Sequence, residues 1–443
     1  AFVLRIGREI KNICSLEKED VMKQVIAELG NVVSSGIDIK SSLVPFNTLP
    51  GYRIVYPEVV IKALGSLYNE YNHAFKALVN MNREWTTDYQ YCTLSDTPLN
   101  YCVQVDMVGC SSTFLEEACH MSKEEVREIL RGKIFEIENS LAMYQLLAKL
   151  FCRDEKSSFF EINFRAVLDD LRRRFNKPIA LLAVTKHKYD AMLESEFGYS
   201  VDGQPTNDKV KELSGFDTFF GPEQFRQHLK DNNGECGYLL YVRSSDPVGK
   251  LKDPSFIVEH PLLDDKDMRR VIKANALTFN VDAPEMEYVK RINDTKSYMA
   301  PMGMAFEITS MDDLYSSEFN AYLGRHGLDS KTAILRCKPA KGTYGCYGHL
   351  RGILTERKFR GELKQNLSNR KCYVIQPEVE TPVVTNKIGG ITYTFIDRNF
   401  FGVIGEKLEF LGGFRNLIPV DTQEARMGRI HGNRSAVYAE ITG

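Results

Sequence analysis

Apolar residues fall at helical spacing along Pro57–Asn80, where Val60, Ile61, Leu64, Leu67 and Tyr71 share one face, and the spacing predicts an amphipathic helix. Residues 1–35 follow the same period through Val21, Val25, Ile26 and Leu29, with Gly30 placed to end the helix. Ser34–Arg53 is rich in turn residues and predicts a strand or two. Over Tyr89–Cys110 the period shortens to two, most clearly in Cys102–Met107, the pattern of a half-buried strand. Ser122-Lys123-Glu124-Glu125 is a capping box. It predicts the start of one long helix with Val126, Ile129, Ile134, Ile137, Leu141, Tyr144 and Leu147 on its core face, weakened at Gly132.

Around Phe159 the pattern changes. Short apolar runs at Ile179–Val184, Gly237–Val242, Phe256–Glu259 and Leu277–Asn280 predict strands. Helical stretches at Lys188–Glu196, Asn207–Leu213, Pro222–Leu229 and Asp264–Lys273 separate them. Strands spaced by helices predict a parallel α/β sheet. Ligands of such sheets bind beyond the strand C-termini, which makes Arg243, Ser244, Ser245, His260 and Asp282 candidates.

Composition narrows the function classes. The 443 residues suffice for two or three domains, and 57 basic against 59 acidic residues leave a net charge of −2. That balance gives no electrostatic case for nucleic acid or a membrane surface as main partner. No apolar run approaches the roughly 18 residues of a membrane helix, and Phe2–Ile6 is too short for a signal peptide. Ten cysteines are scattered without a CxxC pair, as expected for buried thiols of an intracellular, cytoplasmic protein.

The chemistry concentrates in the last third. Ala333, Ile334 and Leu335 predict a buried strand leading to Lys338, and Pro339-Ala340-Lys341-Gly342-Thr343-Tyr344-Gly345 follow as a glycine-rich loop. A strand that delivers a lysine into such a loop is one way to hold a polyphosphate; a hairpin with solvated lysines is the other reading of the same residues. It is not a P-loop, because no Gly-Lys-Ser/Thr closes it. Helical signals in Phe359–Leu367 precede Cys372–Gln376, then Pro377-Glu378-Val379-Glu380. Two apolar runs, Ile391–Ile396 and Phe400–Ile404, flank Asp397-Arg398. Earlier, Asn293-Asp294-Thr295-Lys296 places a cation in the first turn of a helix, where the dipole disfavours it.

This order resembles the ATP-grasp ligases, and most of all the bacterial ATP-grasp type of glutamate–cysteine ligase. The resemblance rests on Lys338–Gly345, Ile375-Gln376-Pro377-Glu378-Val379, Ile396-Asp397-Arg398 and a shortened Gly412-Gly413-Phe414-Arg415, and covers residues 290–443. It departs from the family at Lys341, which stands where the family has an Asp, and at the closing acidic run, which has no clear counterpart.

Pattern and resemblance together predict an α/β (α+β) chain: by its pattern a mostly helical region of unknown role over 1–170, and, as the resemblance implies, a small α/β domain over 171–300 and an ATP-grasp-like nucleotide-binding region over 301–443. The resemblance implies ATP and Mg²⁺ as cofactors, small carboxylate and amine substrates, and an acyl-phosphate intermediate. Lys296, Lys338, Lys341, Gly342, Thr343 and Gly345 would then face the phosphates, with Gln376, Glu378 and Val379 around the adenine and ribose. Arg398 and Arg415 would hold the acyl or γ-phosphate, and Asp397, Glu440 and Asn416 the metal. The alternative is an ATP-grasp fold that has lost catalysis and serves as a binding or structural subunit.

Overall fold

The computed structural model describes residues 47–80, 102–138, 159–183, 215–243, 262, 265–277, 297–340, 350–370, 372–378, 382–385, 392–405, 407–420 and 437–443. The first elements are β1 (Asn47–Val55), α1 (Glu58–Asn80), β2 (Cys102–Val108), α2 (Ser112–Ala118), α3 (Lys123–Lys133), β3 (Ile134–Glu138) and α4 (Phe159–Phe175). Then come β4 (Ile179–Ala183), β5 (Thr218–Phe220), α5 (Pro222–Asp231), β6 (Leu239–Arg243), α6 (Lys266–Asn275), β7 (Phe306–Ile308) and α7 (Ser317–Arg325). The last are β8 (Ile334–Pro339), β9 (Leu350–Ile353), α8 (Arg357–Arg370), β10 (Tyr373–Pro377), β11 (Val383–Thr385), β12 (Thr392–Ile404), β13 (Lys407–Pro419) and β14 (Val437–Thr442).

These make three sheets, and the chain is mixed α/β as the sequence predicts. The largest has seven strands in the order β1-β14-β13-β12-β2-β3, with β11 also paired to β12. Every pair in it is antiparallel except β1 with β14. Strands from both ends of the chain therefore share one sheet, across the divisions expected at 170 and 300. The second sheet runs β7-β10-β8-β9 and the third β5-β4-β6. The third is parallel, as the strand–helix alternation predicts.

Helix α1 buries Val60, Leu64, Leu67 and Tyr71 of the face read from its spacing, with Ile61 half-buried and Tyr68 buried beside them. It covers the side of the large sheet that carries Phe401, with Tyr68 stacked 6.4 Å away. Helix α4 covers the Phe400 side, where Phe160 lies 4.9 Å from Phe400. Behind the second sheet, α7 and α8 bury Phe319, Leu323, Phe359 and Leu363 against Leu335, Cys337, Tyr373 and Ile375.

Three elements differ from the sequence reading. The helix opened by the capping box, with Ser122 Oγ accepting from Glu125 N at 3.3 Å, ends at Lys133. Ile134–Glu138 becomes strand β3, because the ladder to β2 satisfies its backbone while Ile134 and Ile137 are buried, a shift of register between their pairings bringing both inside. The stretch Met311–Leu323, which the sequence by itself predicts as one helix, is a 3₁₀ turn, Asp312–Tyr315, and then α7, separated where the Ser316 hydroxyl caps Phe319 N. Asp397-Arg398 does not separate two strands but lies inside the continuous β12. Helices expected within 1–35, 188–196 and 207–213, and the strand at 256–259, lie outside the described residues.

Candidate functional site

Two of the residues marked in the sequence, Lys338 and Gln376, meet where the second sheet abuts the edge strand of the first. Strands β8 and β10 pair with Lys338 opposite Val374 and Arg336 opposite Gln376, and β9 places Arg351 opposite Arg336. Period-two geometry thus sends Lys338, Arg336, Arg351 and Gln376 to one face, while Leu335, Cys337, Tyr373 and Ile375 go to the other and are buried. Lys338 Nζ donates 2.7 Å to the Phe135 carbonyl of β3 and lies 5.4 Å from that residue's ring centroid. Gln376 Nε2 donates to the carbonyls of Ile134 at 3.3 Å and Met304 at 3.0 Å. The predicted lid lysine and the predicted hinge glutamine therefore reach the same short stretch of β3.

Next to them lies a buried charge cluster that the sequence reading did not single out. Asp106 of β2 is opposite Arg398 of β12 on one side and Glu136 of β3 on the other, so the three side chains share a face. Arg398 Nη1 is 3.3 Å from Asp106 Oδ2, with both side chains 1% exposed. Gln104 Nε2 donates to Asp106 Oδ1 at 2.5 Å. Burial raises the Asp106 carboxyl to about 6, against the lowering effect of Arg398, while Glu136 raises it further and Lys338 is close enough to lower it. The alternation of Gln104 and Asp106 with Val103, Val105 and Met107 was the signal for this cluster: two polar residues on one side of a strand buried throughout.

Asp397 and Arg398 are neighbours in sequence but point to opposite faces of β12. Asp397 lies with Arg415, its register partner, on the face covered by α1. Its Oδ1 accepts from Arg415 Nε at 2.6 Å, and its Oδ2 accepts from Arg415 Nη2 at 2.8 Å, Tyr56 Oη at 2.5 Å and Cys110 N at 2.9 Å. Arg415 also donates to the Cys110 carbonyl and lies 4.3 Å over the Phe395 ring. Burial and the Asp397 charge both raise the Tyr56 phenol, and burial pushes the Cys110 thiol up to about 12. Arg415 is held further toward its charged form, because the attraction of Asp397 outweighs burial.

The expected metal ligands are therefore not assembled. Asp397 is on one face; Asn416 and Glu440 are on the other, with Arg398. A carboxylate that accepts four hydrogen bonds has no oxygen left over for a cation. Glu440 Oε1 accepts from the backbone N–H groups of Phe159 at 2.7 Å and Phe160 at 3.4 Å and so caps the start of α4. Asn416 Oδ1 is buried without a hydrogen-bond partner but has no carboxylate opposite it, because its register partner on β14 is Tyr438. Among the described residues no three His, Cys, Asp or Glu side chains converge as a metal would need. These residues do not fit Mg²⁺. The same alternation separates Arg398 from Arg415, so they do not form one anion site.

Glu378, expected at the ribose, sits at the end of β10 between two guanidinium groups. Its Oε1 lies 2.7 Å from Arg336 Nη2, and its Oε2 lies 2.7 Å from Arg351 Nη2. Burial would raise its carboxyl, but hydrogen bonds from Arg351 and Arg336 outweigh that and hold it below the usual range. Lys296, Lys341, Gly342, Thr343, Gly345 and Val379 lie outside the described residues, as do Ser244, Ser245, His260 and Asp282. Arg243 ends β6. A depression of about 590 Å³ lies elsewhere, at the third sheet, bordered by Lys177, Glu235, Asp267 and Arg270, and contains none of the motif residues. No helix of the described residues is long and apolar enough to cross a membrane.

No protein-family model matches the chain, and no curated protein matches it. Among solved structures the chain is similar to a glutathione synthetase like-effector from Globodera pallida in its apo form. The TM-score is 0.38 at 10% identity, over 96% of this chain and 98% of that one. A likeness at that level assigns neither a family nor an activity.

Proposed function

We propose that the chain binds ATP in the manner of the ATP-grasp proteins, between the β8–β10 face and the Asp106–Arg398 side of the large sheet. One observation carries this reading: Lys338 and Gln376, marked independently by two short motifs, occupy one face of neighbouring strands and reach adjacent carbonyls of β3. Lysine at a strand end neutralises phosphate charge, and a polar hinge beside it can read the purine edge. The glycine-rich segment after Lys338 is placed in sequence to cover the phosphates.

The activity that the motif order supports is ATP-dependent ligation of a carboxylate to an amine through an acyl phosphate, with glutamate–cysteine ligase-like substrates. Such a reaction needs positioning and charge neutralisation more than acid–base groups. Lys338 would supply one positive charge, whereas Arg398 is buried against Asp106.

The second reading, a binding or structural subunit without turnover, is favoured by the engagement of Asp397, Glu440 and Glu378 with guanidinium or backbone donors. ADP release separates the two. A ligase releases ADP only when an acid and an amine are both supplied; a binding subunit shows the nucleotide-dependent rise in melting temperature and no ADP under any pairing.

A further inference from the structure

Arg336 and Arg351 stand directly opposite each other on β8 and β9, and Lys338 follows two residues along the same face, roughly 6–7 Å away at the rise of a strand. Like charges directly opposed across a sheet destabilise it. The only described carboxylate bonded to these arginines is Glu378. It takes one hydrogen bond from Arg336 at 2.7 Å and two from Arg351 Nε at 3.0 and 2.9 Å, besides the ion pair with Arg351 Nη2.

One carboxylate is shared by the two guanidiniums, and Glu356 also lies close enough to Arg351 to favour its charge. The Arg336, Arg351 and Glu378 side chains are 31%, 50% and 22% exposed, so a solute can reach them. The backbone of Glu378 is fixed, its N–H donating to the Ile334 carbonyl at 2.8 Å, so a displacement at this point involves the side chain alone.

We propose that Arg336, Arg351 and Lys338 form a phosphate-binding face that works without a divalent cation, Glu378 being the counter-ion that the ligand's phosphate displaces. The proposal rests on the reading of this cleft as an ATP site and names what neutralises the phosphates there. Guanidinium forks match phosphate oxygens in pairs, and a phosphate offers more acceptors and more charge than the carboxylate it replaces. Among the described residues, Asp397 is committed to Arg415, Glu440 to α4 and Asp106 to Arg398.

Isothermal titration of the full chain with ATP, in EDTA and then in Mg²⁺, tests this, with adenosine as the phosphate-free control. The expected result is ATP binding in EDTA within about threefold of that in Mg²⁺ and no comparable binding of adenosine. Glu378→Gln should tighten ATP binding severalfold, and Arg351→Gln should weaken it about tenfold. Loss of binding in EDTA, or unchanged affinity in both variants, overturns the metal-independent site. Binding of ATP in Mg²⁺ would then still leave the ATP cleft standing. Absence of ATP binding in either buffer removes both.

Discussion

Asp397 and Arg415 face each other across β12 and β13, joined by two hydrogen bonds of 2.6 and 2.8 Å in a fully buried setting. Through Tyr56 and Cys110 the pair also ties together the segment after β1 and the segment after β2. Arg415 of the neighbouring strand and two segments far away in sequence, at Tyr56 and Cys110, converge on one carboxylate, which makes it a structural lock.

The lock predicts a large loss of stability on its removal. Asp397→Asn leaves Arg415 buried against an amide and should lower the unfolding free energy by about 3–5 kcal/mol, the cost of an uncompensated buried charge. Urea denaturation measures it. An unchanged midpoint with altered ligand binding would instead mark Asp397 as a site residue.

Asp106 supplies a pH-dependent test. Its carboxyl is raised to about 6 by burial, so the folded state holds the proton more tightly than the unfolded chain. Stability from this group is therefore fully present below the unfolded value near 4 and falls as pH rises toward 6. Asp106→Asn removes that titration. Relative to the wild type, the variant should gain on the order of 2 kcal/mol between pH 4 and pH 7, as read from denaturation midpoints at the two pH values. A constant difference between the two proteins would contradict the shifted carboxyl.

Glycines test the packing independently of charge. A Cβ at Gly413 would fall on the Arg398 carbonyl oxygen, a backbone atom that cannot rotate away. Gly413→Ala should cost roughly 1–3 kcal/mol. Gly361, inside α8, has open space where a Cβ would stand, with nothing within 4 Å, and Gly361→Ala should gain about 0.5–1 kcal/mol of helix propensity. Thermal melts of the two variants, moving in opposite directions, check the pair.

Much of the local structure was legible because periodicity reports it directly: the buried face of α1, the strand β2, the capping box before α3, and the parallel β4–β6 sheet. The break at Lys133 was not, because Ile134 and Ile137 fit a helical stripe as well as a strand, and only pairing with β2 decides between them. The site was half legible. Motifs found Lys338 and Gln376, whose neighbourhood follows from local strand order. They also grouped Asp397 with Glu440 and Asn416, which pleating places on opposite faces of the large sheet. Asp106 escaped notice because Arg398, its ion-pair partner, comes from a strand nearly 300 residues later.

The most direct test is the stability of the full chain with and without ATP, for the wild type and Lys338→Ala. At a hundredfold excess over Kd the wild type should gain about 2.7 kcal/mol, and the variant, folded but lacking the ammonium, should gain nothing. An equal gain in both proteins, or none in the wild type, would contradict an ATP site at Lys338.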